Sequence, residues 1–251
     1  MNERFSFDLF EETANPPASR ELRHTEFAPG PLPEDLDDLQ ALSALDAVVP
    51  LEESTAGLDD VFVPDHYEPN YAYPLLVWIQ TTPWPRGGLD RMMRMVSDRN
   101  YFGVAVAVGD PERLEEQLAE TFARLRRRYH LHSERVHLIG VGEGGTQALQ
   151  SALNRPGWFG GVAAISSNWP TGSRMLARYD ELRGKRVLFA LDETDPPELI
   201  AGVQSAGRLL WTAGLQVTTV CTSGGTEPCI GLLREINRWV MQGIEQPELV
   251  C

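Results

Sequence analysis

The chain has 251 residues, of which 42% are hydrophobic and 23% charged, as expected of a globular protein with one large core. No apolar run approaches the ~20 residues of a membrane span, no secretory signal begins the sequence, and the three cysteines form no C-x-x-C pair. We therefore expect a cytoplasmic protein without a membrane segment or a disulfide framework, and the net charge of −14 argues against nucleic acid as a partner.

The acidic excess lies at the N-terminus. Residues 1–70 contain 17 acidic and 3 basic residues, whereas residues 71–251 contain 19 of each. Leucines that recur every three residues in this acidic part indicate a short amphipathic helix. The stripe consists of Leu36, Leu39, Leu42 and Leu45. We therefore divide the chain into an acidic N-terminal extension, residues 1–45, and a main domain, residues 46–251.

The main domain alternates β-rich runs with helical patterns. Eight β-rich runs occur, at 47–51, 61–63, 75–80, 103–108, 136–139, 161–166, 187–191 and 216–221. From the third run onward they alternate with helical patterns near 88–98, 111–129, 143–154, 198–213 and 228–242. This alternation predicts an α/β protein with an eight-stranded, mostly parallel sheet, helices on both faces, and an antiparallel edge formed by the first two runs.

One strand–turn–helix stretch carries the strongest motif. Residues 136–149 read V-H-L-I-G-V-G-E-G-G-T-Q-A-L, a buried run that enters a helix through a glycine turn. The stretch resembles the nucleophile elbow of the α/β-hydrolase superfamily, above all its phospholipase/carboxylesterase group, whose elbow reads G-x-S-x-G-G. The resemblance extends from about Val48 to Val240 and implies the α/β-hydrolase fold.

The resemblance also implies positions for a catalytic triad. Gly142 corresponds to the serine, Asp195 to the acid and Thr226 to the histidine. Glycine has no group that could form an acyl intermediate, and a threonine hydroxyl is not a base near neutral pH. Two of the three triad positions therefore lack the side chain that the reaction needs.

The expected oxyanion turn departs from the family as well. Gln80 and Thr81 replace its His-Gly pair, which leaves the backbone N–H of Glu143 as the retained donor. Three tryptophans near this edge have two interpretations, the lining of an apolar pocket or ordinary core packing. They are Trp78, Trp84 and Trp169.

These departures predict a catalytically degenerate protein with a binding or interaction role toward a small molecule or a protein, and with no cofactor. The first alternative is a carboxylesterase-like or phospholipase-like acyl hydrolase with another nucleophile. Its candidate residues are Ser167, Thr226 and Cys221, with His66 as the least excluded base. The second alternative is nucleotide binding, because residues 140–145 also fit G-x-G-x-x-G.

Several residues have simpler structural interpretations. Asp195, followed by Pro-Pro-Glu, fits a helix cap, and Thr226 fits a helix start. The arginine-rich run 124–128 fits the solvated last turn of a helix. Three histidines could meet as metal ligands, but no carboxylate or cysteine completes the set, so we expect no metal site. They are His130, His132 and His137.

We expect the N-terminal extension to dock on the main domain or on a partner. Deletion of residues 1–45 should then lower the melting temperature or change the oligomeric state. Docking through acidic side chains weakens with salt, whereas docking through the leucine stripe does not. Calorimetry and sedimentation at low and high salt distinguish the two, and a deletion that changes neither quantity would make the extension a solubilising tail.

Overall fold

The computed structural model describes residues 61–108, 110–170, 178–222 and 228–245. The strands within them are β1 (Val61–Phe62), β2 (Tyr73–Gln80), β3 (Phe102–Ala107), β4 (Leu131–Val141), β5 (Gly161–Ile165), β6 (Arg186–Asp192) and β7 (Gln216–Thr222). The helices are α1 (Gly88–Val96), α2 (Leu114–Arg128), α3 (Glu143–Asn154), α4 (Tyr179–Leu182), α5 (Pro197–Thr212) and α6 (Ile230–Glu245).

The strands form one sheet in the order β1-β3-β2-β4-β5-β6-β7. The pairing of β1 with β3 is antiparallel and every other pairing is parallel, which confirms the mostly parallel sheet. The predicted antiparallel pairing of the first two runs with each other stays a prediction. The described sheet has seven strands rather than eight, because the first predicted run, 47–51, lies outside the described residues. The N-terminal extension lies outside them as well.

Helices cover both faces of the sheet. In β2, Leu75, Val77 and Ile79 pack on the face that α2, α3 and α5 cover. Leu76 and Trp78 pack on the opposite face, which α1 and α6 cover. Every residue of β2 is buried, because side chains alternate between the faces and both faces are covered.

The element bounds differ from the predicted ones at few places. β4 begins at Leu131, so His132 already lies on a strand that the sequence predicted to start at 136. The four-residue helix α4 was not predicted. Helix α2 ends at Arg128 with three arginines in its last turn, as expected. Among the described helices, none combines the length and apolar character needed to cross a membrane.

A buried histidine lies between β4 and α6. The side chain of His137 is 4% exposed, and its ring centre lies 5.5 Å from that of Trp239. Its Nδ1 atom has no hydrogen-bond partner. The guanidinium of Arg186 lies over the Trp239 ring, 4.9 Å from its centre. Burial, followed by the charges of Arg186 and Arg135, lowers the pKa of His137 to about 3.

We predict that His137 makes the protein less stable in acid. The unfolded chain binds a proton at this histidine as the pH falls below its ordinary pKa of 6.5, whereas the native chain stays neutral down to about pH 3. Above pH 6.5 this histidine does not lower the free energy of unfolding. Between pH 6.5 and about 3 that free energy falls by up to about 1.4 kcal/mol per pH unit. His137→Gln should flatten the plot of unfolding free energy against pH by that slope.

Chemical denaturation over a series of pH values measures this slope. His130→Gln, which removes a histidine at an exposed position, serves as the control. Equal slopes for the wild type and His137→Gln would contradict the prediction.

Candidate functional site

The passage from β4 into α3 turns sharply at Gly142. Its φ is +56° and its ψ is −122°, a backbone conformation that strains most residues and that glycine adopts readily. The N–H of Gly142 donates to the carbonyl oxygen of Ile165 at 2.8 Å, and its own carbonyl accepts from the N–H of Thr146 at 3.1 Å. The chain therefore reverses at Gly142 in a conformation that favours glycine.

The glycines around Gly142 are held in close contact with their neighbours. A Cβ at Gly140 would overlap the backbone of Gly144, one at Gly144 would overlap β2, and one at Gly145 would overlap the side chain of Ser167. A Cβ at Gly142, by contrast, would meet no heavy atom within 4 Å. Two of the three glycines of the dinucleotide motif, Gly140 and Gly145, are thus explained by helix–sheet packing.

Asp195 is a buried carboxylate just beyond β6. Its Oδ2 accepts hydrogen bonds from the N–H of Asp192 at 2.8 Å and from the Oγ–H of Ser166 at 2.9 Å. The interpretation of Asp195 as a helix cap is wrong, because Pro196 is the N-cap of α5 and no side chain caps that helix. The carboxylate is instead oriented toward the ends of β5 and β6.

Ser166 is a residue of this site that the sequence alone did not reveal. It is 8% exposed, and its φ is +44°, which is uncommon for a residue other than glycine. Its N–H donates to the carbonyl of Ala190 at 2.8 Å, so it is held between β5 and β6. The available signal was a pair of serines directly after a buried run.

The end of β5 connects Gly142 with Asp195. Ile165 accepts the hydrogen bond of Gly142, and the following residue, Ser166, donates to Asp195. The structure therefore brings Gly142 and Asp195 to the same edge of the sheet, where the parallel strands end. Thr226 lies outside the described residues.

The residues of the expected oxyanion turn lie at this edge too. Gln80 ends β2 and is 8% exposed; its Oε1 accepts from the N–H of Trp84 at 3.2 Å, and its Nε2 is buried without a partner. Thr81 follows and is exposed. Glu143 is the first residue of α3, and its Oε1 accepts from Nε2 of Gln147 at 2.9 Å.

The three tryptophans are divided between the two faces of the sheet. Trp78 is 1% exposed and its Nε1–H points at the sulfur of Met93 at 3.3 Å, so it is a core residue rather than pocket lining. Trp84 packs against it, with ring centres 5.4 Å apart. Trp169 packs into the hydrophobic cluster of the opposite face.

The described histidines lie away from the elbow. His66 is exposed in the connection from β1 to β2, where Asp65 donates its N–H to Asp98 ahead of β3, so this connection lies near the beginnings of the strands. The expectation that His66 could reach the site is therefore wrong. His137 precedes Gly142 by five residues along a strand, about 16 Å. Within the described ranges, no group of three or more metal-binding side chains could hold a metal ion.

Two of the other candidate nucleophiles, Ser167 and Cys221, differ in solvent exposure. Ser167 is 1% exposed and its Oγ–H donates to the carbonyl of Ile165 at 2.8 Å, so a substrate cannot reach it. Cys221 is an exposed free thiol on β7.

Solved structures of esterases share this architecture. A thermostable esterase matches with a TM-score of 0.54 and 16% identity over 75% of this chain, which spans 58% of that esterase. A Bacillus cereus carboxylesterase matches with a TM-score of 0.53 and 16% identity over 68% of this chain and 89% of its own. Arabidopsis thaliana SOBER1 matches with a TM-score of 0.56 and 16% identity over 69% of this chain and 100% of its own.

The chain has the α/β-hydrolase fold. Neither a protein-family model nor a curated protein matches the sequence. At 16% identity, the likeness extends to the fold and does not transfer the activity of any of these proteins.

We predict that Gly145→Ala destabilises this α/β-hydrolase fold, although alanine is the better helix former. The new Cβ would overlap the side chain of Ser167, an overpacking that costs about 1–3 kcal/mol. Gly202→Ala is the matched control, since Gly202 lies on α5 and a Cβ there would meet no heavy atom within 4 Å, and it should stabilise by up to about 1 kcal/mol. Urea unfolding measures both, and the same sign for the two variants would contradict the packing argument.

Proposed function

We propose that this chain is a catalytically degenerate α/β-hydrolase-fold protein, which binds a small molecule or a protein partner and does not turn over esters. The observation that carries the proposal is the turn at Gly142. It keeps an elbow backbone, with φ of +56°, and open space where a side chain would project, but it offers no attacking atom.

The hydroxyls nearest the turn do not replace the missing nucleophile. Thr146 is buried, and its Oγ–H lies 3.3 Å from the carbonyl of Gly142 and 3.1 Å from that of Asn168. Ser167 is buried and donates to Ile165. Acyl transfer needs a hydroxyl that a neighbouring base can deprotonate, and these hydroxyls face carbonyl acceptors.

The acid position supports the same conclusion. In a working triad the carboxylate holds an imidazole, which takes the proton of the nucleophile. Here Asp195 accepts from Ser166, whose hydroxyl is not a base at neutral pH, and no histidine of the described residues lies at this edge. The carboxylate therefore stabilises the ends of the strands.

A binding role remains compatible with this edge. The space beside Gly142 is open, and the N–H groups of the first three residues of α3 precede its first hydrogen bond, which Thr146 donates to Gly142. A ligand that reaches this space meets hydrogen-bond donors and no nucleophile. We infer that such a ligand would be bound and released unchanged.

The wild-type protein should not hydrolyse aryl esters or thioesters above the rate in buffer. The loss of the nucleophile or the base from a serine triad costs on the order of a millionfold in kcat. Spectrophotometric assays on protein from a host without background esterases measure turnover, and a fluorophosphonate probe reports a reactive serine. Stoichiometric labelling, or turnover that follows the purified protein, would contradict the proposal.

A restoration experiment tests the assignment of Gly142. Gly142→Ser combined with Thr226→His should gain slow fluorophosphonate labelling at residue 142. Gly184→Ser combined with Thr226→His is the control, because Gly184 also has a positive φ and open space but precedes β6 at the opposite edge. Equal labelling of both double variants would show that the elbow position confers no special reactivity.

A further inference from the structure

The two outer strands of the sheet differ in how they are protected. β1 has two residues and is followed closely by Pro64, so it offers little backbone for pairing. β7 has seven residues, contains neither a charged residue nor proline, and has no described strand on its outer side. A long uncharged outer strand is a template for pairing with another strand.

The pairing of β7 with β6 determines which of its backbone groups face outward. Gln216 donates its N–H to Lys185, and Thr222 accepts from the N–H of Glu193. Because residues alternate along a strand, the even-numbered positions of β7 bond to β6. The odd-numbered positions direct their N–H and C=O groups away from the sheet. They are Val217, Thr219 and Cys221.

The helix beside β7 presents an apolar surface. A Cβ on Gly207 of α5 would lie 3.6 Å from Val217, so the helix lies against the strand. Trp211 and Leu209 of α5 are 72% and 46% exposed. Glu198 and Arg208 are the two charged residues in the sixteen of this helix.

We propose that β7 pairs antiparallel with β7 of a second copy of this chain, about a two-fold axis at Thr219. Registers that set odd-numbered residues opposite odd-numbered residues let the outward-facing groups of both strands meet, and among them the axis at Thr219 alone pairs all seven residues of both strands. It places Val217 opposite Cys221 of the second copy and Thr218 opposite Val220, with Thr219 opposite its own counterpart. Every facing pair is uncharged, and the interface is self-complementary as a two-fold requires.

Charge favours a second copy over an unrelated strand. The β7 edge carries no charge, and residues 71–251 contain equal numbers of acidic and basic residues, so no net charge of this part of the chain opposes the approach of a second copy. The two-fold axis also brings opposite charges together. Lys185, directly before β6, lies toward Glu193, directly after β6, of the second copy across three strand spacings, about 14 Å between backbones.

The helices follow the same symmetry. Each α5 lies along its own β7, so the pairing places the two α5 helices side by side and antiparallel. Arg208 near the end of one helix then lies toward Glu198 near the start of the other. Trp211, four residues after Gly207 on the helix face nearest β7, loses solvent exposure.

Sedimentation equilibrium of the full chain tests the proposal. The wild type should be a dimer. Thr219→Lys should raise the dissociation constant at least about tenfold, because it places two like-charged ammonium groups on directly opposite residues whose Cα atoms lie ~5.5 Å apart. Ala123→Lys, at an exposed position of α2, is the matched control and should leave the dimer intact. Circular dichroism melts verify that both variants fold.

A cross-link tests the register. Thr219→Cys in a Cys221→Ser background should form a covalent dimer under mild oxidation, because the facing Cα atoms lie within disulfide range. Thr218→Cys in the same background should not form a covalent dimer, because residue 218 faces Val220 of the second copy and is offset from residue 218 of that copy.

Three outcomes would overturn the proposal: a wild type that is monomeric at every concentration, a dimer that Thr219→Lys leaves unchanged, or cross-linking at 218 as fast as at 219. A monomer whose Thr219 amide is protected from exchange would show that another segment covers the edge, which also overturns it.

Discussion

The close approach of α3 to the sheet is the constraint on which the site depends. The first turn of α3 lies against β2 and against the end of β5, with no room for side chains at Gly140, Gly144 or Gly145. This approach forces the chain to reverse within one residue after β4, at Gly142. The N–H of Gly142 then donates to Ile165 at the end of β5, so the ends of β4 and β5 are held together. The next residue, Ser166, donates its hydroxyl to Asp195. Loss of the packing would therefore disturb every residue at this edge.

That constraint accounts for the glycine at the turn between β4 and α3. The packing glycines hold this turn for structural reasons, whichever residue occupies position 142. A serine at 142 would hold a strained backbone at a cost of about 1–3 kcal/mol, which glycine avoids. Ser166 keeps a strained backbone with φ of +44°, and its hydrogen bond to Asp195 helps to hold it there.

The sequence predicted the helices and strands whose formation depends on residues close together in the chain. Buried runs such as Leu75–Gln80 indicate a strand with helices packed on both of its faces. The glycine turn before Glu143 indicates the start of α3. The start of β4 was missed because polar residues follow Leu131 and hide the strand pattern. The hydrogen bond between Asp195 and Ser166 was missed for another reason. Ser166 lies 29 residues away, and the local Asp-Pro-Pro-Glu pattern gives no information about residues so distant in sequence. Long-range hydrogen bonds depend on how the strands are ordered in the sheet.

The elbow and the outer edge of the sheet are separate surfaces. Gly142 follows β4, which β5 and β6 separate from β7. Across an antiparallel pairing of two β7 strands, seven strand spacings separate the two copies of β4, about 34 Å. The two elbows then face opposite ends of the continuous sheet, since the strands of the second copy run the other way. Association at β7 would therefore leave both elbows accessible, and a ligand at one elbow would not contact the other copy.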